Sequence, residues 1–210
     1  MSELLPIFPL PSTVLFPNVF LPLHIFEPRY REMVADALSG DRLIGLVLLR
    51  PGWERDYDGH PAVYPVGCSG VITHVERLAD GRYNIVLRGL DRFRIVTEDH
   101  SRSYRRAQVD TLREAPVDAQ AQSVVRRLRS RLESLIAPSE HAGGEVRTTA
   151  AMADEDLVNA LAQYLDLDPI EKQALLEQDG VLRRAASLVE LLEMKLLMAR
   201  TPGASRNVAH

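Results

Sequence analysis

Lysine, cysteine and long apolar runs are the scarce features of this 210-residue chain, and each scarcity excludes something. Only Lys172 and Lys195 are lysines, and they follow Glu171 and Met194. No Gly-Lys pair exists, which excludes a phosphate-binding loop of the nucleoside-triphosphatase kind. A Ser-Lys peptidase dyad needs a lysine desolvated beside a serine. Both lysines fall in stretches of helical periodicity, where a solvated amine is the expected state. The single Cys68 excludes an internal disulfide and leaves no second thiol for a zinc site. The longest apolar run, Leu43 to Leu49, is far short of the roughly 20 residues a membrane-spanning helix needs. Met1-Ser2-Glu3 carries no positive side chain and no apolar core stands before the first proline, so no secretory signal is expected. A soluble cytoplasmic protein without membrane attachment is the expectation.

Charge of neither sign dominates. The net charge is −4, yet residues 82–131 hold twelve Arg against six Asp and Glu, a local +6 that leaves −10 elsewhere. The six histidines, His24, His60, His74, His100, His141 and His210, are scattered without the i, i+4 spacing of a helical metal site. Asp154-Glu155-Asp156 reads as the acidic first turn of a helix. No metal and no cofactor are expected. Gly67-Cys68-Ser69-Gly70 resembles a nucleophile turn but lacks the G-x-S-x-G spacing, because Val71 follows Gly70. Cys68 with His74 is a conceivable thiol–imidazole pair; a lone cysteine in a β-rich stretch is more often a small buried hydrophobe. No catalytic residue is assigned.

Proline is plentiful where it matters. From Leu4 to Arg31, Pro6, Pro9, Pro11, Pro17 and Pro22 punctuate short apolar runs. No helix tolerates that density, and the stretch is too apolar for a solvated linker. It predicts short, buried, edge-type strands, with Leu21, Leu23, Ile25 and Phe26 in the core and His24 carrying a bonded imidazole. Glu27 is held extended by the proline after it. Pro28 suits the first turn of a helix that Tyr30, Val34, Ala37 and Leu38 continue at helical spacing.

Further along, Leu43–Leu49 predicts a buried strand and Pro51–Pro61 a loop. Val63–Leu78 is β-rich, with a bulge or bend expected near Gly67 and Gly70. Asp80-Gly81 signals a hairpin joining Val71–Leu78 to Tyr83–Arg88. Arg92–Thr97 and Tyr104–Asp110 read as two more strands. After Ala115-Pro116 the period becomes helical. Val124, Val125, Leu128, Leu132 and Leu135 form one stripe, with Arg126, Arg127 and Arg129 opposite. Ser139–Ala153, with Gly143-Gly144, reads as a loop. Leu157, Leu161 and Leu165 mark a second helix. Asp168-Pro169 starts a third, with Asp168 as cap and Glu171 completing a capping-box pattern. Asp179-Gly180 ends it, and Leu182, Ala186, Val189, Leu192 and Leu196 mark the last. The expected class is α+β: a mainly β lobe with one helix at 1–115, a helical bundle at 116–200, and a disordered tail at 201–210.

Three runs carry a resemblance. The opening joins Leu5-Pro6, Phe8-Pro9-Leu10 and Val14-Leu15-Phe16-Pro17 to Leu21-Pro22-Leu23-His24-Ile25-Phe26-Glu27-Pro28-Arg29-Tyr30. A second runs from Val75-Glu76-Arg77-Leu78 through Asp80-Gly81-Arg82-Tyr83 to Gly89-Leu90 and Arg92-Phe93-Arg94-Ile95, and a weaker third is Glu171 to Glu177. Together they resemble the N-terminal, substrate-binding domain of Lon proteases over roughly residues 4 to 195. The resemblance implies a PUA-like small β-barrel lobe before the helical lobe, in a stand-alone member without the ATPase and peptidase modules. It also implies a passive, non-catalytic role: holding unfolded or degron-bearing polypeptide, or docking on a protease or chaperone. For that role Trp53 and Tyr57, aromatics in a polar loop, are the candidate polypeptide-binding residues, although a loop tryptophan can equally fold back over the barrel. The alternative is RNA binding, since PUA-like barrels can bind RNA. Arg102, Arg105, Arg106, Arg126, Arg127 and Arg129 would then contact phosphates. The acidic total and the shortage of interleaved aromatics weigh against it.

Overall fold

The computed structural model describes residues 4–56, 59–114, 118–136 and 152–200. Tyr57, the Gly143-Gly144 stretch and the 201–210 tail lie outside the described residues. Among the described residues the architecture is α+β, a mixed six-stranded sheet with five α-helices. It divides into two compact units, Met1–Arg113 with Asn159–Glu177, and Glu114–Val158 with Gln178–His210. The sequence reading instead assigned all of 116–200 to the helical lobe. No helix among the described residues is long and apolar enough to cross a membrane.

The sheet of the first unit contains β1 (Leu5–Leu10), β2 (Phe20–Ile25), β3 (Leu43–Leu48), β4 (Val66–Arg77), β5 (Tyr83–Asp99) and β6 (Arg106–Leu112). Their order is β2-β5-β4-β3-β1-β6, and β5 pairs additionally with β6. Only β1–β3 is parallel. Ile7, Val47, Phe93 and Ala107, from four different strands, form one buried cluster. The expected β3 is present and buried from Ile44 to Leu48, as its unbroken apolar run requires.

The sequence reading ended one strand at Arg88 and began another at Arg92; β5 instead runs unbroken through Gly89. Gly89 acts here as a crossing point and not as a breaker. A Cβ on it would stand 2.0 Å from the Phe16 carbonyl oxygen, so only glycine lets the Phe16–Val19 segment pass over the strand. The hairpin between β4 and β5 is likewise longer than two residues. Leu78 N–H bonds the Arg82 carbonyl and Gly81 N–H bonds the Leu78 carbonyl, with Gly81 at φ 82°. This is a turn closed by a left-handed residue. Bulges fall between Cys68 and Gly70 and between Ile72 and His74.

Helix α1 (Pro28–Ser39) starts as predicted, with Pro28 in the first turn and Glu27 extended at ψ 135°. The first unit also holds the end of α3 (Asp154–Tyr164) and all of α4 (Pro169–Leu176). At the start of α4, Glu171 accepts the Asp168 N–H at 2.8 Å, as the capping pattern predicts. Buried polar side chains fasten these two helices to the sheet unit. Asn159 Nδ2 donates to the Pro17 carbonyl at 3.1 Å, and Gln163 Oε1 accepts the Phe16 N–H at 3.2 Å. Gln173 Nε2 donates to the Val66 carbonyl at 2.9 Å, and Arg92 Nη1 to the Leu176 carbonyl at 3.0 Å. A proline-rich loop has backbone groups that no strand satisfies, and buried backbone groups need partners. Helix amides supply them.

In the second unit, α2 (Ala119–Ile136) packs along α5 (Gly180–Arg200), and Val125 and Leu132 are the buried members of the α2 stripe. Arg129 donates to the Met152 carbonyl at 2.6 Å and to Asp154 at 2.9 Å. Arg131 bridges Glu193 of α5 at 2.7 Å. Arg184 of α5 is fully buried and ion-paired to Glu114.

Candidate functional site

Among the described residues strand β2 has a neighbour on one side only, β5. The register pairs Phe20 with Arg88, Pro22 with Val86, and His24 with Asn84. Just before it, Gly89 N–H donates to the Val19 carbonyl at 2.9 Å. Alternation then puts Leu21, Leu23 and Ile25 in hydrogen-bonded pairs with β5 and turns the backbone groups of Phe20, Pro22 and His24 outward. The Tyr164 hydroxyl agrees with that phase, donating to the Phe20 carbonyl at 2.6 Å. Pro22 has no N–H to offer. The outer edge of β2 is therefore short of free donors and has one carbonyl capped, which blunts it against an added strand.

The side chains tell a different story. Phe20 is 50% exposed and Phe26 60% exposed, while Ile25 is buried and Leu21 and Leu23 are half-buried. Phe26 was expected in the core; the structure corrects this. Successive strand side chains point to opposite faces, so Ile25 and Phe26 cannot both face inward. Phe20, Pro22, His24 and Phe26 instead form one outward row about 20 Å long at the usual strand rise. The His24 and Phe26 rings stack, centroids 6.3 Å apart at 25°. Tyr164, 64% exposed, stands where its hydroxyl meets Phe20.

A polar ladder holds this row. Asn84 Nδ2 donates to Glu76 Oε2 at 2.7 Å, Asn84 Oδ1 lies 2.7 Å from His24 Nδ1, and Arg82 Nη1 lies 3.2 Å from His24 Nε2. Arg82 can only donate. The geometry thus makes Nε2 the acceptor and Nδ1 the donor, and His24 has the bonded imidazole expected of it. The ladder fixes His24, and through the ring stack it supports Phe26. No nucleophile belongs to it.

The other sequence candidates are dispersed. Trp53 is half-buried in a 3-10 turn, Trp53–Asp56. Cys68 is fully buried with its thiol directed to the Ser69 carbonyl, whereas His74 is exposed further along β4. Among the described residues no group of three His, Cys, Asp or Glu side chains is arranged to hold a metal. One concavity, of about 910 Å³, is lined by Asp36, Arg92, Arg102, Tyr104 and Arg106 among others. Several of its polar side chains are already engaged. Arg102 and the Tyr104 hydroxyl both reach Asp36, at 3.1 and 2.7 Å, and Arg106 reaches Asp99 at 2.9 Å. Burial, then the hydrogen bond to Asp36 and its charge, push the Tyr104 phenol up to about 12. It is a donor at neutral pH and not a base.

The comparisons with known proteins place this fold. A family model, the ATP-dependent protease La (LON) substrate-binding domain, matches residues 4–194, and the chain belongs to that family. Lon protease 2 of Myxococcus xanthus is 28% identical across 92% of this chain, and the Lon protease of Syntrophus aciditrophicus is 28% identical across 93%. The chain spans about a quarter of the length of these curated relatives, 24% and 26%. Among solved structures, the N-terminal domain of a Mycobacterium avium complex Lon protease aligns with TM-score 0.66 at 17% identity, covering 91% of this chain and 98% of that one. A Lon N-terminal domain protein from Xanthomonas campestris aligns with TM-score 0.58 at 23% identity, covering 95% and 99%. These structural likenesses concern the fold.

Proposed function

We propose that the chain is a non-catalytic polypeptide-binding module that holds unfolded or degron-bearing segments, on its own account or for a protease or chaperone on which it docks. The observation that carries this reading is the outward aromatic row of β2. Exposed large aromatics on a rigid strand supply contact area with little conformational entropy to lose. Because the backbone edge is blunted, binding runs through side chains on the sheet face. Phe20 and Phe26 rank above Trp53, which is half-buried. Membership of a substrate-binding family supports the role. The pairing of β5 with both β4 and β6 supports reading the first unit as a small PUA-like barrel lobe, and the α2–α5 pair supports a helical lobe.

RNA binding stands second. Arg102, Arg105, Arg106 and Arg129, four of the six arginines it would use, are engaged by Asp36, Glu98, Asp99, and Glu133 with Asp154. Their charge is largely spent within the fold, and phosphate contacts depend on available charge.

The test is a titration of dye-labelled, reduced and carbamidomethylated ribonuclease A, with the native enzyme as control. The unfolded form should bind in the micromolar range and keep most of its affinity in high salt, because apolar contacts are not screened as charge contacts are. Equal or absent binding of the two forms would contradict the reading.

A further inference from the structure

Five guanidinium groups of the sheet unit have carboxylate partners: Arg29 with Glu27, Arg82 with Asp80, Arg102 with Asp36, Arg105 with Glu98 and Arg106 with Asp99. Among the described residues, neither Arg31 nor Arg77 has a carboxylate within ion-pair distance, and both line one small cavity of about 330 Å³. Pro28, Glu32, Gly81 and Tyr83 complete it. We propose that this cavity seats an acidic side chain of a bound polypeptide.

The two guanidinium groups are placed and not loose. Arg31 lies over the β4–β5 turn, where a Cβ on Gly81 would stand 2.2 Å from its Nη2. At φ 82° this turn position already favours glycine, and the absent side chain leaves the room that Arg31 occupies. Arg77 extends over the Tyr83 ring, 6.0 Å from its centroid. Glu32 is the one acidic wall residue, and its Oε2 accepts the Ser103 hydroxyl at 2.8 Å. Two positive groups against one carboxylate leave the cavity positive, and two guanidinium forks match the lone pairs of a carboxylate.

A side chain is favoured over a chain terminus for a specific reason. Nearby backbone N–H groups are already used: Gly81 bonds the Leu78 carbonyl, and Tyr30 and Arg31 bond the Glu27 carbonyl. Capture of a terminus draws on such backbone donors. Phe26, two residues before Pro28, brings the aromatic row to the same end of β2. The site therefore selects an acidic residue close to an apolar one.

This inference rests on the polypeptide-binding reading, and one experiment separates the two. The full chain is titrated with unfolded ribonuclease A in two forms, cysteines S-carboxymethylated or S-carbamidomethylated, which differ in charge and hardly in shape. The anionic form should bind several-fold to about tenfold more tightly at low salt, a scale typical of added charge complementarity. The Arg31→Gln, Arg77→Gln variant should lose that preference, keep its affinity for the neutral form, and keep its thermal midpoint. Equal binding of both forms by the native protein would overturn the acidic-residue inference and leave the polypeptide reading intact. A preference surviving in the double variant would overturn it as well. Failure of both forms to bind would remove the polypeptide reading and this inference with it. Added inorganic phosphate should compete with the anionic form only, and competition with both would overturn the assignment.

Discussion

Glu114→Ala should lower the unfolding free energy by about 3–5 kcal/mol, the range for breaking a buried ion pair from one side. Arg184 is 0% exposed and Glu114 is its carboxylate partner. Truncating the glutamate withdraws a counter-charge from a guanidinium that water does not reach. The asymmetry is diagnostic. The double variant Glu114→Leu, Arg184→Met removes both charges and should be far less destabilised than the single variant, because well-packed apolar replacements of a buried pair are often neutral. Urea unfolding of the three proteins decides it. A loss below about 1 kcal/mol for Glu114→Ala would show that Arg184 finds solvent or another anion.

The second large effect concerns binding. Phe20→Ser with Phe26→Ser should weaken the complex with an unfolded polypeptide by a factor of roughly thirty to several hundred, at about 1–2 kcal/mol per central aromatic contact. Stability should change little, since both rings already stand half or more in water and fully buried phenylalanines are the ones that cost about 3–5 kcal/mol. Loss of binding together with a large fall in thermal midpoint would instead make these rings core residues. Retention of both affinity and midpoint would place the binding surface elsewhere.

Much of this architecture can be read from the residues. The unbroken apolar run predicts β3, Asp80-Gly81 predicts a turn, Pro28 predicts the start of α1, and Asp168 with Glu171 predicts the start of α4. These are local effects, set by backbone chemistry within a few residues. What escapes is set by distant partners. Gly89 reads as a breaker until the Phe16 backbone is found crossing it. Asn159, Gln163 and Gln173 are polar, yet all three are buried and bonded to the backbone of Pro17, Phe16 and Val66, distant partners that no local pattern reveals. Arg92 and Arg184 count toward surface charge in the sequence and lie in the interior. Phe26 is the instructive case. Hydrophobicity alone sends it to the core, but strict alternation after Ile25 sends it outward, and the signal was available in the pattern Leu21, Leu23, Ile25. Trp53 sits in a polar loop, but a loop position alone does not decide exposure, and the residue is half-buried.

The most direct test of the central claim is site-specific photocrosslinking in the full chain. A benzophenone side chain is placed singly at position 20, 26 or 53, and each protein is irradiated with the labelled unfolded polypeptide. The account predicts strong adducts from 20 and 26 and weaker ones from 53, all competed away by unlabelled unfolded chain. Adducts from 53 alone, or none that an excess of unfolded competitor suppresses, would contradict it.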